Sequence, residues 1–223
     1  IYCVTKSLKD FQEVPTIIKT DMNGELVDTL FLPHFILIKS RNSEISHDGR
    51  LVVFGSNERL SPQMRYAQID SDLTAYEFDS VEIAFDSSRE QVVVPYEIIR
   101  YDSGYVVSGT HRYVSGDVTS KVFIAFLDID FSLDTAWRMN IANSDRHYFQ
   151  DIYVEEDGTV LMSLVTNTVG PLPSSLICLK INKGLGIIDS TGLLSSSSQF
   201  FGARQILPHD SGFIINQDPN SIR

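Results

Sequence analysis

A block of sequence that returns about every 54 residues constrains this chain more than any other feature. Asp102-Ser103-Gly104-Tyr105-Val106-Val107-Ser108-Gly109 has counterparts in Asp48-Gly49-Arg50-Leu51-Val52-Val53-Phe54-Gly55, in Asp157-Gly158-Thr159-Val160-Leu161-Met162 and in Asp210-Ser211-Gly212-Phe213-Ile214-Ile215. The leading aspartates lie 54, 55 and 53 residues apart. Such regularity marks one supersecondary unit copied along the chain, each copy burying its apolar face against its neighbours. With 223 residues, 43% of them hydrophobic, there is enough apolar surface to fill a core. A single repeat domain over residues 1–223 is therefore expected.

Each unit holds four short apolar segments, a to d, which in the clearest copy are 96–101, 105–109, 122–128 and 133–139. Their lengths suit strands and turn residues bound them. Asp-Gly or Asp-Ser-Gly between a and b supplies the positive φ angles of a tight hairpin. The matching c–d turns are 128–132, 70–72, 21–24 and 182–184. Segment c is apolar almost throughout, as in Phe123-Ile124-Ala125-Phe126-Leu127, which predicts a strand covered on both faces. Segment d instead alternates, with Leu133, Thr135 and Trp137 set against Asp134, Ala136 and Arg138, as a half-wet edge strand does.

Four-stranded sheets with sandwiched inner strands and exposed outer strands, stacked one after another, predict an all-β fold: a β-propeller or a contiguous part of one. About four blade repeats of some 54 residues are in view. Residues 1–32 supply b, c and d of a first unit, residues 35–78, 94–141 and 150–189 supply three full units, and residues 203–216 supply a and b of a fifth. Ile1 opens directly on a strand pattern, so the domain is expected to be incomplete at one or both ends. A ring closed with four blades and a piece of a larger propeller both fit.

The segments Asp102 to Gly109, Lys121-Val-Phe-Ile-Ala-Phe-Leu-Asp128 and Phe131-Ser-Leu-Asp-Thr-Ala-Trp137 carry a family resemblance. The chain resembles the delta-sixty-type propeller repeats of bacterial secreted and cell-surface proteins. The likeness extends over nearly the whole chain, but only the copy at 98–141 matches throughout. The unit at 150–189 lacks the glycine that ends strand b and has Ile187-Ile188-Asp189 in place of Ser-Leu-Asp-Thr. The resemblance implies an extracytoplasmic bacterial setting, at the cell surface or secreted. It implies no catalytic residues, because the shared positions belong to turns and core.

Lysine and arginine number 18 against 29 acids, a net charge of −11, which argues against nucleic acid as a partner because phosphate contacts need a basic face. No apolar run is long enough for a membrane helix. Cys3 and Cys178 lie in different strand patterns and read as two buried thiols. The Asp128-Ile-Asp130-Phe-Ser132 and Asp21-Met-Asn23-Gly24-Glu25 stretches present alternating oxygens, yet fit tight turns better than a calcium loop. No nucleophile elbow, histidine ligand spacing or cofactor motif occurs, so no catalytic residue, metal or cofactor is expected.

The b–c loops and d–a connections leave one face of such a fold, and function tends to live on such individual loops held by a rigid scaffold. Those of this chain read as 6–14, 56–64, 111–121, 143–150 and 166–175. Within them Arg112 and Tyr113, and Arg146, His147 and Tyr148, are expected to form one exposed binding patch, with arginine and tyrosine supplying directional donors and large contact areas. The expected function is a non-enzymatic binding or scaffolding module that takes a protein or glycan ligand on this face. The alternative is a propeller glycoside hydrolase or lyase whose carboxylates come from separate blades.

Overall fold

The computed structural model describes residues 1–9, 12–32, 42–56, 62–74, 76–114, 120–140, 146–167, 174–196, 203–209 and 212–217. These form antiparallel strands in chain order, with no helix among the described residues. The first sheet holds β1 (Tyr2–Lys9), β2 (Gln12–Thr20) and β3 (Leu26–Phe31). The second holds β4 (Ser43–Ile45), β5 (Leu51–Ser56), β6 (Gln63–Ile69) and β7 (Tyr76–Glu82). The third holds β8 (Gln91–Tyr101), β9 (Gly104–Tyr113), β10 (Lys121–Asp128) and β11 (Leu133–Arg138). The fourth holds β12 (Arg146–Val154), β13 (Val160–Asn167), β14 (Ser174–Asn182) and β15 (Gly186–Ser196). A fifth, two-stranded sheet pairs β16 (Ala203–His209) with β17 (Gly212–Gln217). Each sheet is a simple meander, and the incomplete first and last sheets are the b–c–d and a–b sets that the repeat predicts.

Turn chemistry closes these hairpins. Gly49 and Gly158 take φ values of +86° and +80° in the a–b turns, a region glycine enters without steric cost. At the c–d turns a leading Asp or Asn caps free backbone donors, as where Asp21 Oδ1 accepts from the amides of Asn23 and Glu25 at 2.8 and 2.9 Å. Leu73 and Phe131 hold corresponding turn positions with φ of +60° and +67°, and both side chains are buried. That conformation is costly for a bulky residue. The ring of Phe131 is compensated by packing: it stacks on Tyr105 at 4.4 Å and meets Tyr66 of the second sheet at 4.8 Å.

Alternation along each strand sends side chains to two different cores. Leu51 and Val53 of β5 pack with Ile17 and Leu32 of the first sheet, whereas Val52 and Phe54 pack with Val107 and Phe123 of the third. Val106, Ile124 and Phe126 of the third sheet pack in turn with Ile152, Met162 and Leu179 of the fourth. Sheets covered on both faces account for the continuous apolar runs of β5 and β10. The outer strands β3, β7 and β11 are largely exposed or half-buried, as their alternation predicts.

The first strands of successive sheets lie side by side: β8 runs against β4 and β5, β12 against β8 and β9, and β16 against β12 and β13. A polar residue recurs along this inner edge. Glu97, Asp151 and Gln205 follow one another at 54-residue intervals, each just after a β-bulge in its strand. Asn42 holds the corresponding place before β4, where its Nδ2 donates to the Phe54 carbonyl at 2.5 Å. Asp151 is buried, and its Oδ2 accepts the amide of Ile206 in the next sheet at 2.6 Å. The bulge re-aims the carboxylate out of its own ladder and toward the neighbouring sheet.

Two expectations need correction. Most of the predicted long loops are partly strand: β1 and β2 stay paired as far as Lys9 and Gln12, and residues 111–113, 146–149, 166–167 and 174–175 all lie in ladders. Backbone pairing does not require apolar side chains, so polar strand ends escape a reading based on hydrophobic runs. Cys3 is exposed and not buried; both thiols are free, and Cys178 alone lies in the core. No helix among the described residues is long and apolar enough to cross a membrane.

Candidate functional site

Each complete sheet has a turn end, closed by the a–b and c–d turns, and a loop end, where the b–c loops and the sheet-to-sheet connections emerge. At the loop end of the third sheet, one face gathers cations and aromatic rings. The side chains of β9 alternate, so Tyr105 and Val107, and with them His111 and Tyr113, face the second sheet. Lys121 sits directly across from His111 on β10, and Arg138 of β11 is paired with Phe123 on the same face. The connection after β7 adds Phe85 and Arg89.

The Arg89 guanidinium lies 3.5 Å from the centre of the Tyr113 ring, and that of Arg138 lies 4.9 Å from it. Cations over an aromatic face gain about 0.5–2 kcal/mol each, more where water is excluded. The His111 imidazole meets the same tyrosine edge-on at 4.8 Å and Phe85 at 4.9 Å, and is fully buried. Burial, with Arg138 and Arg89 adding repulsion, pushes the His111 pKa down to about 4, so the ring is neutral at pH 7.

Gln91 fixes which nitrogen carries the proton. Its Oε1 accepts the Phe85 amide at 3.2 Å and its Nε2 donates to the Asp86 carbonyl at 3.3 Å, which orients the amide. Oε1 lies 2.8 Å from His111 Nε2, so Nε2 must donate. Nδ1 is then a bare lone pair, buried and without a hydrogen-bond partner among the described residues, and the buried Nε of Arg138 likewise lacks an acceptor there. The site thus presents an acceptor and a donor, each unmatched, around one tyrosine ring.

The residues expected to form a binding patch are distributed differently. Arg112 is exposed and Tyr113 is 6% exposed. Neighbours on a strand point to opposite faces, so Tyr113 turns toward the second sheet and Arg112 toward the fourth. Thr110, on the face of Arg112, bonds Tyr96 at 3.0 Å, and Tyr96 packs against Phe149 of β12. Arg146, His147 and Tyr148 open β12 opposite Asn167, Thr166 and Val165, and their side chains lie outside the described residues. β12 runs beside β9, which brings its backbone to the side that Arg112 faces. Gln91, Arg89, Lys121 and Arg138 were not among the site residues expected from the sequence. The two-residue alternation through His111 and Tyr113 was the available signal.

The turn end offers less chemistry. Ser132 donates to Asp130 Oδ1 at 2.7 Å through its hydroxyl and at 3.0 Å through its amide, holding that carboxyl below its ordinary pKa. Asp48 is held down to about 2, chiefly by the Ser46 hydroxyl and then by Arg50. These carboxylates serve their own turns. No group of three or more His, Cys, Asp or Glu side chains that could hold a metal ion occurs among the described residues. No protein-family model matches the chain, and no curated protein matches it closely enough to count as a relative.

Proposed function

We propose that this chain is a non-enzymatic binding module of the propeller type, a rigid stack of sheets that presents its loop end to a protein or glycan ligand. The observation that carries this reading is the gathering of Arg89, Lys121, Arg138, Tyr113 and His111 at the loop end of one sheet, in a protein of net charge −11. Sequential meanders packed on both faces, with their first strands adjacent along one edge, support the propeller arrangement. The extracytoplasmic setting rests on the resemblance to delta-sixty-type repeats.

The rival reading as a glycoside hydrolase needs two carboxylates free to act on a glycosidic bond. Glu97 and Asp151 are the acids at corresponding inner-strand positions, and Asp151 is engaged in holding the next sheet. That favours structure over catalysis for Asp151. The test is retention of the purified protein on immobilised polygalacturonate, heparin and dextran, with release of reducing ends followed in parallel. The binding reading expects retention on at least one matrix that weakens when Arg112 is replaced by alanine. Release of reducing ends would favour the hydrolase. Failure of every matrix to retain the protein would remove the glycan arm of the reading, and equal retention of Arg112→Ala would remove Arg112 from the binding face.

A further inference from the structure

The unmatched groups at the loop end of the third sheet specify more than a positive patch. His111 Nδ1 has a lone pair to satisfy and no proton to give, since Gln91 holds the proton on Nε2. A simple anion has nothing to offer it. Arg138 Nε is the converse, a donor without an acceptor among the described residues. The imidazole and the guanidinium lie 4.8 and 4.9 Å from the centre of the Tyr113 ring, so both border one aromatic ring. A ligand that satisfies both must accept from the arginine and donate to the histidine.

Resting on the binding-module reading, we infer that this end of the third sheet takes a hydroxyl-bearing carboxylate, of the kind an acidic sugar presents. The carboxylate is held by Arg138, in the positive field that Lys121 and Arg89 reinforce, and a neighbouring hydroxyl donates to His111 Nδ1. Charge-assisted bonds of guanidinium to carboxylate are about twice as strong as neutral ones and supply the affinity. The hydroxyl–imidazole bond supplies discrimination, because a buried acceptor left unmatched penalises any ligand lacking the donor. Arg89 is carried by the connection rather than by the sheet.

Nitrogen-15 NMR of the imidazole reads this site directly, because Nδ1 and Nε2 report their hydrogen bonds separately. Titration with D-galacturonate is expected to move the His111 Nδ1 resonance saturably, with a dissociation constant in the range of about 1–10 mM for so small a probe. Acetate, which has the carboxylate alone, and glucose, which has the hydroxyls alone, should each bind at least tenfold more weakly. R138Q should lose galacturonate binding by at least tenfold; R138K, which keeps the charge, serves if the glutamine variant does not fold. No saturable Nδ1 response to galacturonate overturns the inference, and so does equal binding by acetate or by both Arg138 variants. If galacturonate fails while Arg112→Ala still weakens retention on a polysaccharide matrix, the inference falls and the binding module stands. If both fail, both fall.

Discussion

Acidification should destabilise this protein through His111, by an amount its environment fixes. In the folded state the ring titrates near pH 4, against an ordinary value of 6.5. Below pH 6.5 the unfolded chain therefore takes up a proton that the folded protein refuses, and stability falls as pH drops from 6.5 toward 4. The full effect of a shift this size is about 3 kcal/mol, of which about 2.5 kcal/mol is reached by pH 4.5. His111→Gln keeps a donor for the Gln91 Oε1 contact and removes the titration. Urea unfolding at pH 7.5 and 4.5 should show wild type losing about 2.5 kcal/mol more than the variant. Parallel losses in the two proteins, or a folded-state imidazole that titrates near 6.5 by NMR, would refute the assignment of His111 as buried, neutral and surrounded by Arg138, Arg89 and Lys121.

Further outcomes follow from packing. Phe131→Ala should cost about 3–5 kcal/mol in urea unfolding, because a ring packed on Tyr105 and Tyr66 is lost; Phe131→Gly should cost about 1 kcal/mol less than alanine despite the smaller side chain, since φ is +67° there. A Cβ on Gly109 would overlap the Val94 carbonyl oxygen and lie 2.7 Å from Phe123 Cε1, whereas one on Gly192 meets nothing within 4 Å. Gly109→Ala should therefore lower the melting temperature sharply or prevent folding, while Gly192→Ala leaves it unchanged or raises it slightly, as differential scanning fluorimetry would read. A thiol reagent such as Ellman's should titrate one cysteine in the native protein, the exposed Cys3, and two after denaturation. Cys178 is buried, and burial pushes its thiol up to about 11.

The architecture was legible because turn and core positions repeat in the sequence itself. Asp48-Gly49 and Asp157-Gly158 locate the a–b hairpins, and the continuous apolar run 122–127 marks a strand enclosed on both faces. Gly109 was visible as the end of the repeat block, but its reason was not: β8 bulges opposite it at Pro95–Glu97, and Phe123 leans over it. Glu97, Asp151 and Gln205 also recur at the repeat spacing. Nothing in their residue types marks the inner edge; each follows a bulge in its strand, and Asp151 turns its carboxylate to the next sheet. The candidate site was half legible. Arg112 and Tyr113 were placed on one loop, and the strand that contains them sends them to opposite faces. Arg89, Lys121 and Arg138 come from three other segments, and only the fold brings Arg89 and Arg138 to Tyr113 and sets Lys121 across from His111.

The exchange rate of one amide tests most directly the claim that the sheets stack with their first strands side by side. β16 pairs with β17 alone in its sheet, and the Ile206 amide points away from that partner to Asp151 of the fourth sheet. If the sheets stack in this way, the Ile206 proton is shielded and bonded, and native-state hydrogen exchange should find it protected by several orders of magnitude, with protection lost selectively in Asp151→Ala. Exchange of Ile206 at the rate of an open strand edge in the wild-type protein, or protection that survives Asp151→Ala unchanged, would contradict the stacking on which the whole account rests.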